Sequence, residues 1–261
     1  MTVAVVTGAT RGVGKGIALA LGDAGATVYV TGRSTVDEAA GEVTARGGRG
    51  IGARVDHTRD DEVEALFERV WAESGRVDLV VANAWGGYEN EGWRALSRPF
   101  WEQPLTRWSA VIDAGLRAQY TTAYFAAPRL IGQGRGLLVF TGGWDAPEHY
   151  LGDVLYDVGK TATNRLVADL GRVLAPHGVA TVGVYPGFTR TEAVVDAYAT
   201  EGKEPPPETH SPEFVGRAVV HLLRDPDVSA LSGTGAQAAT YAERYGFTDV
   251  DGRRIERFSV T

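Results

Sequence analysis

Tyr156 and Lys160 offer the clearest chemistry in this sequence. They stand four positions apart, so on a helix they share one face and lie one turn from each other. A positive charge beside a phenol favours the phenolate and lowers a pKa that is ordinarily about 10. The spacing therefore predicts a tyrosine that exchanges protons near neutral pH. Because the same spacing also occurs on solvated helix faces, the surrounding elements must decide its meaning.

Short β-branched runs alternate with longer amphipathic segments along most of the chain. This alternation predicts a single α/β domain over residues 1–261, with a Rossmann-type doubly wound parallel sheet of about seven strands and helices on both faces. The strands are predicted near 2–7, 27–31, 50–55, 77–82, 136–141, 179–185 and 235–239. The helices are predicted near 13–24, 35–46, 60–74, 105–132, 154–175 and 212–224.

Two segments interrupt the alternation. Residues 84–104 are rich in Gly, Pro and Trp, and residues 188–211 contain three consecutive prolines. In a doubly wound sheet, the loops that leave the carboxyl ends of the strands build the ligand site. We therefore expect residues 84–104 to form an irregular wall of the substrate pocket and residues 188–211 to form a mobile lid.

A glycine-rich turn joins the first predicted strand to the first helix. Its glycines carry no β-carbon that would keep a phosphate from the backbone, and the helix N-terminus supplies oriented N–H groups. The turn therefore predicts a dinucleotide cofactor. The residues expected to bind it here are Gly8, Thr10, Arg11, Gly12, Val13 and Gly14.

The end of the second strand favours NADP(H) over NAD(H). NAD-selective sites generally place a carboxylate there to bind the ribose 2′-hydroxyl, but this position holds Gly32 and is followed by Arg33. Arg11 projects from the neighbouring turn, and two guanidinium groups suit a 2′-phosphate. The alternative is that both arginines are solvated surface residues.

The composition excludes several classes of protein. The 26 basic and 33 acidic residues leave a net charge of −7, which disfavours a nucleic-acid or anionic-membrane partner. There is no cysteine for a disulfide or a thiolate metal site, and no metal site is predicted. No apolar run approaches the roughly 18 residues of a membrane span, and the chain opens on a strand. A cytoplasmic protein with a small-molecule substrate is expected.

Taken together, the motifs resemble the short-chain dehydrogenase/reductase family. The resemblance rests on the glycine-rich turn after Thr7, Asp56 after the third strand, Asn83 after the fourth, the Tyr156/Lys160 pair, and Pro186-Gly187 followed by Thr191. Residues 98–102, 113–117 and 245–253 also resemble the dehydrogenase/reductase member-1-like subgroup.

The resemblance implies roles for the remaining cofactor residues. Asp56 would bind the adenine amino group with His57 alongside, although Asp56 is also a common turn or cap residue. Asn83 would support the cofactor and the fourth strand. The nicotinamide would be flanked by residues of one segment, Pro186, Gly187, Thr189 and Thr191.

The resemblance also implies the mechanism and the assembly. Lys160 would bind the nicotinamide ribose and lower the pKa of Tyr156, which would exchange a proton with the substrate oxygen. The equivalent helices pair subunits in the family, so a homo-oligomer, dimer or tetramer, is expected. Small residues on these helices would permit close packing: Ala123, Ala126, Ala127, Gly159, Ala162 and Ala168.

Two departures from the family pattern concern the active site. The usual serine, thirteen residues before the tyrosine, is replaced by Gly143, and the helix asparagine of the proton relay is replaced by Gly115. Loss of one donor to a developing oxyanion typically costs about 10²–10³ in rate. A Gly at the relay position also occurs in the subgroup.

Several substitutes for the serine are open. One is the hydroxyl of Thr141, and another is the backbone N–H groups of residues 142–144 or an ordered water. A third is a side chain of the following loop, namely Asp145, Glu148 or His149. An imine substrate develops no alkoxide, so it would not need the serine, and Asp145 could stabilise its positive charge.

Aromatic residues are expected around the pocket, which predicts a bulky apolar or aromatic substrate. They are Trp85, Tyr88, Trp93, Trp101, Trp144 and Tyr150, and the alternative is that most of them are core. Trp85 stands where the family commonly has glycine. Two other functions remain open: a cofactor-binding scaffold or sensor that has lost its chemistry, and a non-redox lyase or isomerase.

Overall fold

Seven parallel strands form one sheet. They are β1 Val3–Val6, β2 Thr27–Gly32, β3 Arg49–Arg54, β4 Leu79–Ala82, β5 Gly136–Thr141, β6 Val179–Tyr185 and β7 Thr234–Gln237. Their order is β3-β2-β1-β4-β5-β6-β7. Strands β2 and β3 therefore extend the sheet to one side of β1 and the later strands extend it to the other side, so the strand order switches between β1 and β4. Ligands of such sheets bind outside the carboxyl ends of the strands at this switch. The computed structural model describes residues 2–87, 98–143 and 152–259.

Helices cover both faces of the sheet. They are α1 Gly12–Asp23, α2 Val36–Ala45, α3 Asp60–Ser74, α4 Ala118–Gln133, α5 Val154–Leu174, α6 Glu192–Ala199, α7 Pro212–Arg224 and α8 Ala238–Tyr245. A π-helical stretch, Ser109–Arg117, leads directly into α4. Across the described ranges, no helix has both the length and the apolar character that a membrane crossing requires.

The core consists of two layers of apolar side chains, one on each face of the sheet. One layer joins the strands to α1, α2, α7 and α8, and the other joins them to α3, α4 and α5. Because both faces are covered, β1 and β4 are continuous buried apolar runs rather than alternating ones. The predicted doubly wound α/β fold is confirmed.

The helix predictions were incomplete in three places. The short helices α6 and α8 were not predicted, and the helix expected near 105–132 contains the π-helical stretch. Thr191 is a visible signal for α6, because its Oγ1 caps the helix by accepting a hydrogen bond from the Val194 N–H at 3.4 Å. The predicted last strand ends at Gln237, where α8 takes over.

The expected lid, residues 188–211, is fastened by the C-terminal part of the chain. The Ser211 N–H donates to Oδ2 of Asp249 at 2.8 Å. Arg253 donates from Nη1 to the Pro207 carbonyl oxygen at 2.6 Å. The C-terminal half of the segment therefore has specific partners, and its mobility remains a prediction.

The small residues of α4 and α5 are only partly available to a second subunit. Ala123 and Ala126 are 2% and 1% exposed because they pack into the core of their own chain. The expectation that these two alanines face a partner is therefore wrong. The apolar side chains that α4 does expose are larger, namely Tyr120, Tyr124 and Ile131.

Candidate active site

The glycine-rich turn between β1 and α1 lies against the end of β4. Gly8 has a φ of +62°, and a Cβ there would stand 2.9 Å from the Ala84 Cα. A Cβ on Gly14 would stand 2.2 Å from the Gly8 carbonyl oxygen. Both positions therefore require glycine. The turn brings the first N–H groups of α1 to the carboxyl edge of the sheet, where they can bind a phosphate.

Asn83 ties this turn to β4. Its Nδ2 donates to the carbonyl oxygens of Thr7 and Gly8 at 2.9 and 3.1 Å. In return, Oγ1 of Thr7 accepts from the N–H groups of Asn83 and Ala84 at 2.8 and 2.9 Å. The supporting role implied for Asn83 by the resemblance fits this geometry.

The other residues of the turn have different surroundings. Thr10 packs at the end of β2, where a Cβ on Gly32 would meet its Cγ2 at 2.8 Å. Arg11 is exposed at the N-cap of α1, whereas Val13 is partly buried against the core. The structure thus leaves Arg11 accessible to a ligand and gives Val13 a packing role.

Arg33, Asp56 and His57 gather at the ends of β2 and β3. Burial would raise the pKa of Asp56, but hydrogen bonds from Thr58 and the charge of Arg33 hold this pKa below its ordinary value. Asp56 therefore has the capping contacts of a turn residue and also faces Arg33. His57 is buried with Nε2 at 2.6 Å from Oγ1 of Thr31, and burial lowers its pKa to about 4, so the ring is neutral.

The start of the expected lid returns to the glycine-rich turn. Cγ2 of Thr191 lies 3.5 Å from the place that a Cβ on Gly12 would occupy. The Gly12 N–H donates to Oε2 of Glu192 at 2.8 Å. A carboxylate thus stands at the N-terminus of α1, where a phosphate would also bind. Thr189, from the same segment, forms an isolated β-bridge with His210.

Helix α5 carries both residues of the predicted acid–base pair, Tyr156 and Lys160, and begins at a buried ion pair. Oδ1 of Asp153 accepts from the Tyr156 N–H at 3.0 Å, and its Oδ2 lies 2.6 Å from Nη2 of Arg107. Asp153 and Arg107 are 1% and 6% exposed. Because both side chains are buried, each charge depends on the other as its partner, and this contact fixes where the first turn of α5 begins.

One cleft collects the predicted catalytic residues and two of the residues predicted to flank the nicotinamide. It is lined by Gly142, Gly143, Tyr156, Lys160, Tyr185, Pro186, Gly187 and Gln237. These residues come from the ends of β5, β6 and β7 and from the first turns of α5. The cleft therefore lies at the carboxyl edge of the sheet, as a doubly wound fold predicts.

Lys160 is buried beside Tyr156. Its Nζ donates to the Thr141 carbonyl oxygen at 3.2 Å, lies 4.1 Å from the centroid of the Trp85 ring, and lies 5.8 Å from that of Tyr156. Burial lowers the pKa of Lys160 from 10.5 to about 8. The lysine can therefore change its charge within the pH range in which a tyrosine acid would work.

Gly143 packs its backbone directly on Lys160. A Cβ at this position would stand 2.5 Å from the Lys160 Cβ, so a serine does not fit without a shift. The Gly142 N–H donates to the Val184 carbonyl oxygen at 3.1 Å and the Gly143 N–H to Oδ1 of Asn164 at 3.4 Å. Both N–H groups are thus engaged within the protein, which argues against them as substitutes for the serine hydroxyl.

The other expected substitutes divide into two groups. Thr141 is buried and is not among the residues that line the cleft, and its carbonyl oxygen is the atom that meets Lys160. The loop candidates lie outside the described residues, as does one of the backbone N–H groups: Trp144, Asp145, Glu148 and His149.

The aromatic residues expected around the pocket also divide. Trp85 lies edge-on to Tyr156, with ring centroids 5.7 Å apart and an interplanar angle of 80°. Trp101 is 73% exposed on a short 3₁₀ turn, so it is not core. The others, Tyr88, Trp93, Trp144 and Tyr150, lie outside the described residues.

Sequence reasoning missed two residues that hold the walls of the cleft. The Gln237 amide pairs with the backbone of Phe258, accepting from its N–H at 2.8 Å and donating to its carbonyl oxygen at 2.9 Å. Nε2 of His210 lies 2.7 Å from the Pro186 carbonyl oxygen. The position of Gln237 at the end of the last strand was the available signal, because strand ends meet at this edge.

The sequence is similar to known proteins over nearly its whole length. The family model for short chain dehydrogenase matches residues 2–202. The chain is 38% identical over 269 residues to mouse dehydrogenase/reductase SDR family member 1, covering 98% of this chain and 85% of that protein. The identity to the human protein of the same name is 36% over the same coverage.

Solved structures agree with the sequence matches. A short-chain type dehydrogenase/reductase from Mycobacterium marinum superposes with a TM-score of 0.76 at 26% identity, covering 90% of this chain and 93% of that one. A metagenomic short-chain oxidoreductase in complex with NADP superposes with a TM-score of 0.73 at 26% identity, covering 90% and 95%. The chain therefore belongs to the short-chain dehydrogenase family.

Proposed function

We propose that the protein is an NADP(H)-dependent oxidoreductase that transfers hydride to or from a carbonyl, alcohol or imine carbon of a small molecule. The observation that carries this proposal is the cleft that Tyr156 and Lys160 share with Pro186 and Gly187. A proton-exchanging phenol beside the expected nicotinamide segment is the arrangement that such a reaction needs.

The described residues fit a dinucleotide along the carboxyl edge of the sheet. The pyrophosphate would lie against the turn, where Gly8 and Gly14 have no room for a Cβ. The adenine end would lie near Arg33 and Asp56. When bound, the cofactor supplies or accepts a hydride at the substrate carbon.

The protein's own part in the reaction is proton transfer and positioning. During reduction, the Tyr156 hydroxyl gives its proton to the carbonyl oxygen, or to the imine nitrogen, and an alcohol or amine results. During oxidation, the phenolate takes the proton back. Lys160 in its charged form stabilises the phenolate. Gly143 supplies no hydroxyl, so this site works without the family's usual serine.

The proposed preference for NADP(H) rests on the end of β2. Gly32 offers no carboxylate for a ribose 2′-hydroxyl. The next residue, Arg33, is close enough to Asp56 for its charge to lower the pKa of that carboxyl, so a guanidinium group lies at this end of the sheet. The structural relative in complex with NADP supports the same choice.

Replacing Arg33 with Ala should weaken NADPH binding by about tenfold or more and leave NADH binding nearly unchanged, because a guanidinium–phosphate contact is lost.

The substrate and the assembly follow from the surroundings of the cleft. Trp85 beside Tyr156 favours a bulky apolar or aromatic substrate, with residues 84–104 as its wall and residues 188–211 as its lid. Exposed Tyr120 and Tyr124 on α4 favour a homo-oligomer. Size-exclusion chromatography that returned only monomer would contradict the assembly.

The experiment that tests this function follows NADPH absorbance with panels of ketones, aldehydes and imines, together with product analysis. One NADPH consumed for each product formed is expected. Product formation without any change in NADPH would instead show a lyase or isomerase. Tight NADPH binding without turnover on every panel would show a scaffold or sensor.

A further inference from the structure

Trp85 occupies a slot that is open only because two neighbouring residues are glycines. A Cβ on Gly115 would stand 2.7 Å from two atoms of the Trp85 ring. A Cβ on Gly87 would stand 2.6 Å from the opposite part of the ring. Such distances are shorter than the contacts that non-bonded carbon atoms make in proteins. A side chain at either glycine would therefore prevent the Trp85 ring from taking this position.

The ring covers the ammonium of Lys160. Nζ lies 4.1 Å from the ring centroid, which is within the range of a cation–π contact. The stem of Lys160 lies close to the backbone of Gly143, where an added Cβ would stand 2.5 Å from the Lys160 Cβ. The one hydrogen bond that Nζ makes among the described residues is to the Thr141 carbonyl oxygen. Lys160 is therefore held by a ring, a glycine and a carbonyl.

We infer that Trp85 is a positioning residue, whose indole holds the Lys160 ammonium beside Tyr156, and that Gly115 is the matching gap that lets the indole enter. This inference rests on the proposed function of Tyr156 and Lys160. It gives a physical reason for the missing helix asparagine, since a side chain at 115 would displace the ring. Trp85 and Gly115 therefore act as one unit.

The geometry can be tested without any substrate, because the chain has three lysines, of which two serve as internal references for Lys160. The three lysines are Lys15, Lys160 and Lys203. In reductive methylation followed by peptide mass spectrometry, Lys160 of the wild type should react much more slowly than exposed Lys203. Trp85→Leu should speed the reaction of Lys160 by about tenfold or more, because a buried amine becomes reachable, and should leave the other two lysines unchanged.

The positioning role is tested by turnover in two Trp85 variants. Trp85→Phe keeps an aromatic face for the cation, whereas Trp85→Leu keeps apolar bulk without one. We expect Leu to lower kcat by about tenfold and Phe to retain most of it, because a desolvated cation–π contact is lost only in the first. Trp108→Leu, at an exposed ring outside the proposed substrate wall, is the control and should have no effect. Equal losses for Phe and Leu would overturn the role.

The unit of Trp85 and Gly115 is tested by a double-mutant cycle. Gly115→Ala alone should speed Lys160 methylation, because the new methyl group displaces the ring. In the Trp85→Leu background, the same substitution should add much less, since the clash is already relieved. Independent effects at the two positions would refute the inference.

If the wild type had no turnover, the proposed function would fail, while the methylation rates and the double-mutant cycle would still decide whether Trp85 covers Lys160.

Discussion

The phosphate end and the reaction end of the active-site edge differ in how they relate to the family pattern. At the phosphate end, Gly8 and Gly14 stand where the pattern places glycine, and Asn83 ties the turn to β4. At the reaction end, Tyr156 and Lys160 are present, and Gly143 and Gly115 stand where the resemblance led us to expect a serine and an asparagine. Both ends lie on the same edge of the same sheet.

The difference lies in which atoms do the chemistry. A phosphate at the turn would be bound by backbone N–H groups, so the residue types there are fixed by the absence of room for a Cβ. At the reaction end, side chains act, and they can be exchanged if their neighbours change with them. Gly143 fits against Lys160, and Gly115 fits against Trp85. These contacts favour the inferred repacking around the lysine over a simple loss of two groups.

The largest predicted effect concerns the start of α5. Asp153→Ala should lower the free energy of unfolding by about 3–5 kcal/mol, because it leaves the buried Arg107 unpaired and uncaps the helix. Urea denaturation measures it. Asp169→Ala, at an exposed ion pair on the same helix, is the control and should change little. Equal losses in the two variants would show that the buried pair has no special role.

A second effect has the opposite sign. Lys160→Met should abolish most turnover and raise the free energy of unfolding by about 1–3 kcal/mol near neutral pH, because it removes a charge that burial disfavours. The folded pKa of about 8 lies below the ordinary 10.5, so between these values the unfolded chain binds more protons. The free energy of unfolding of the wild type should therefore increase relative to that of the variant as the pH rises from 8 to 10.5.

The control for this prediction is Lys203→Met, at an exposed lysine, which should show no such dependence on pH. A Lys160→Met protein that is less stable than the wild type at every pH would show that the contacts with Thr141 and Trp85 outweigh the cost of burial. The repacking would then be stabilising as well as functional.

A third prediction asks whether the family's serine can be restored. Gly143→Ser should lower stability by about 1–3 kcal/mol and should not increase ketone reduction, because its Cβ meets the stem of Lys160. Gly41→Ser, in open space on α2, is the control. Higher kcat with unchanged melting temperature would mean that the reaction end has merely lost a donor.

The smallest effect is expected at the phosphate end. Glu192→Gln should tighten NADPH binding by about two- to fivefold, because it removes a carboxylate that competes with the pyrophosphate for the Gly12 N–H. Asp196→Asn, further along α6, should leave the affinity unchanged. Fluorescence titration at two salt concentrations measures both. Weaker binding in the Glu192 variant would mean that the carboxylate supports the turn.

The fold and the phosphate end were predictable because their signals are local. Buried valine runs mark β1 and β4, and the glycine-rich turn follows β1 directly in the chain. Helix α6 was missed because it is short and lies in a segment with three prolines, although Thr191 marks its start. Local patterns thus carry most of the architecture.

The reaction end was only half predictable. The spacing of Tyr156 and Lys160 is visible in sequence, but the contact of Arg107 with Asp153 joins segments far apart in the chain. The missing side chain at 115 looked like a loss until the Trp85 ring was seen beside it. Such pairings depend on packing between elements, for which a single sequence carries no periodic signal.

The most direct test of the central claim compares the wild type with Tyr156→Phe in NADPH-linked turnover of a substrate found on the panels. The phenyl ring keeps the packing on Trp85 and removes only the hydroxyl group that carries the exchangeable proton. In Tyr156→Phe, kcat should fall by about 10²-fold or more while the dissociation constant of NADPH stays nearly the same. Unchanged kcat in Tyr156→Phe would contradict the account.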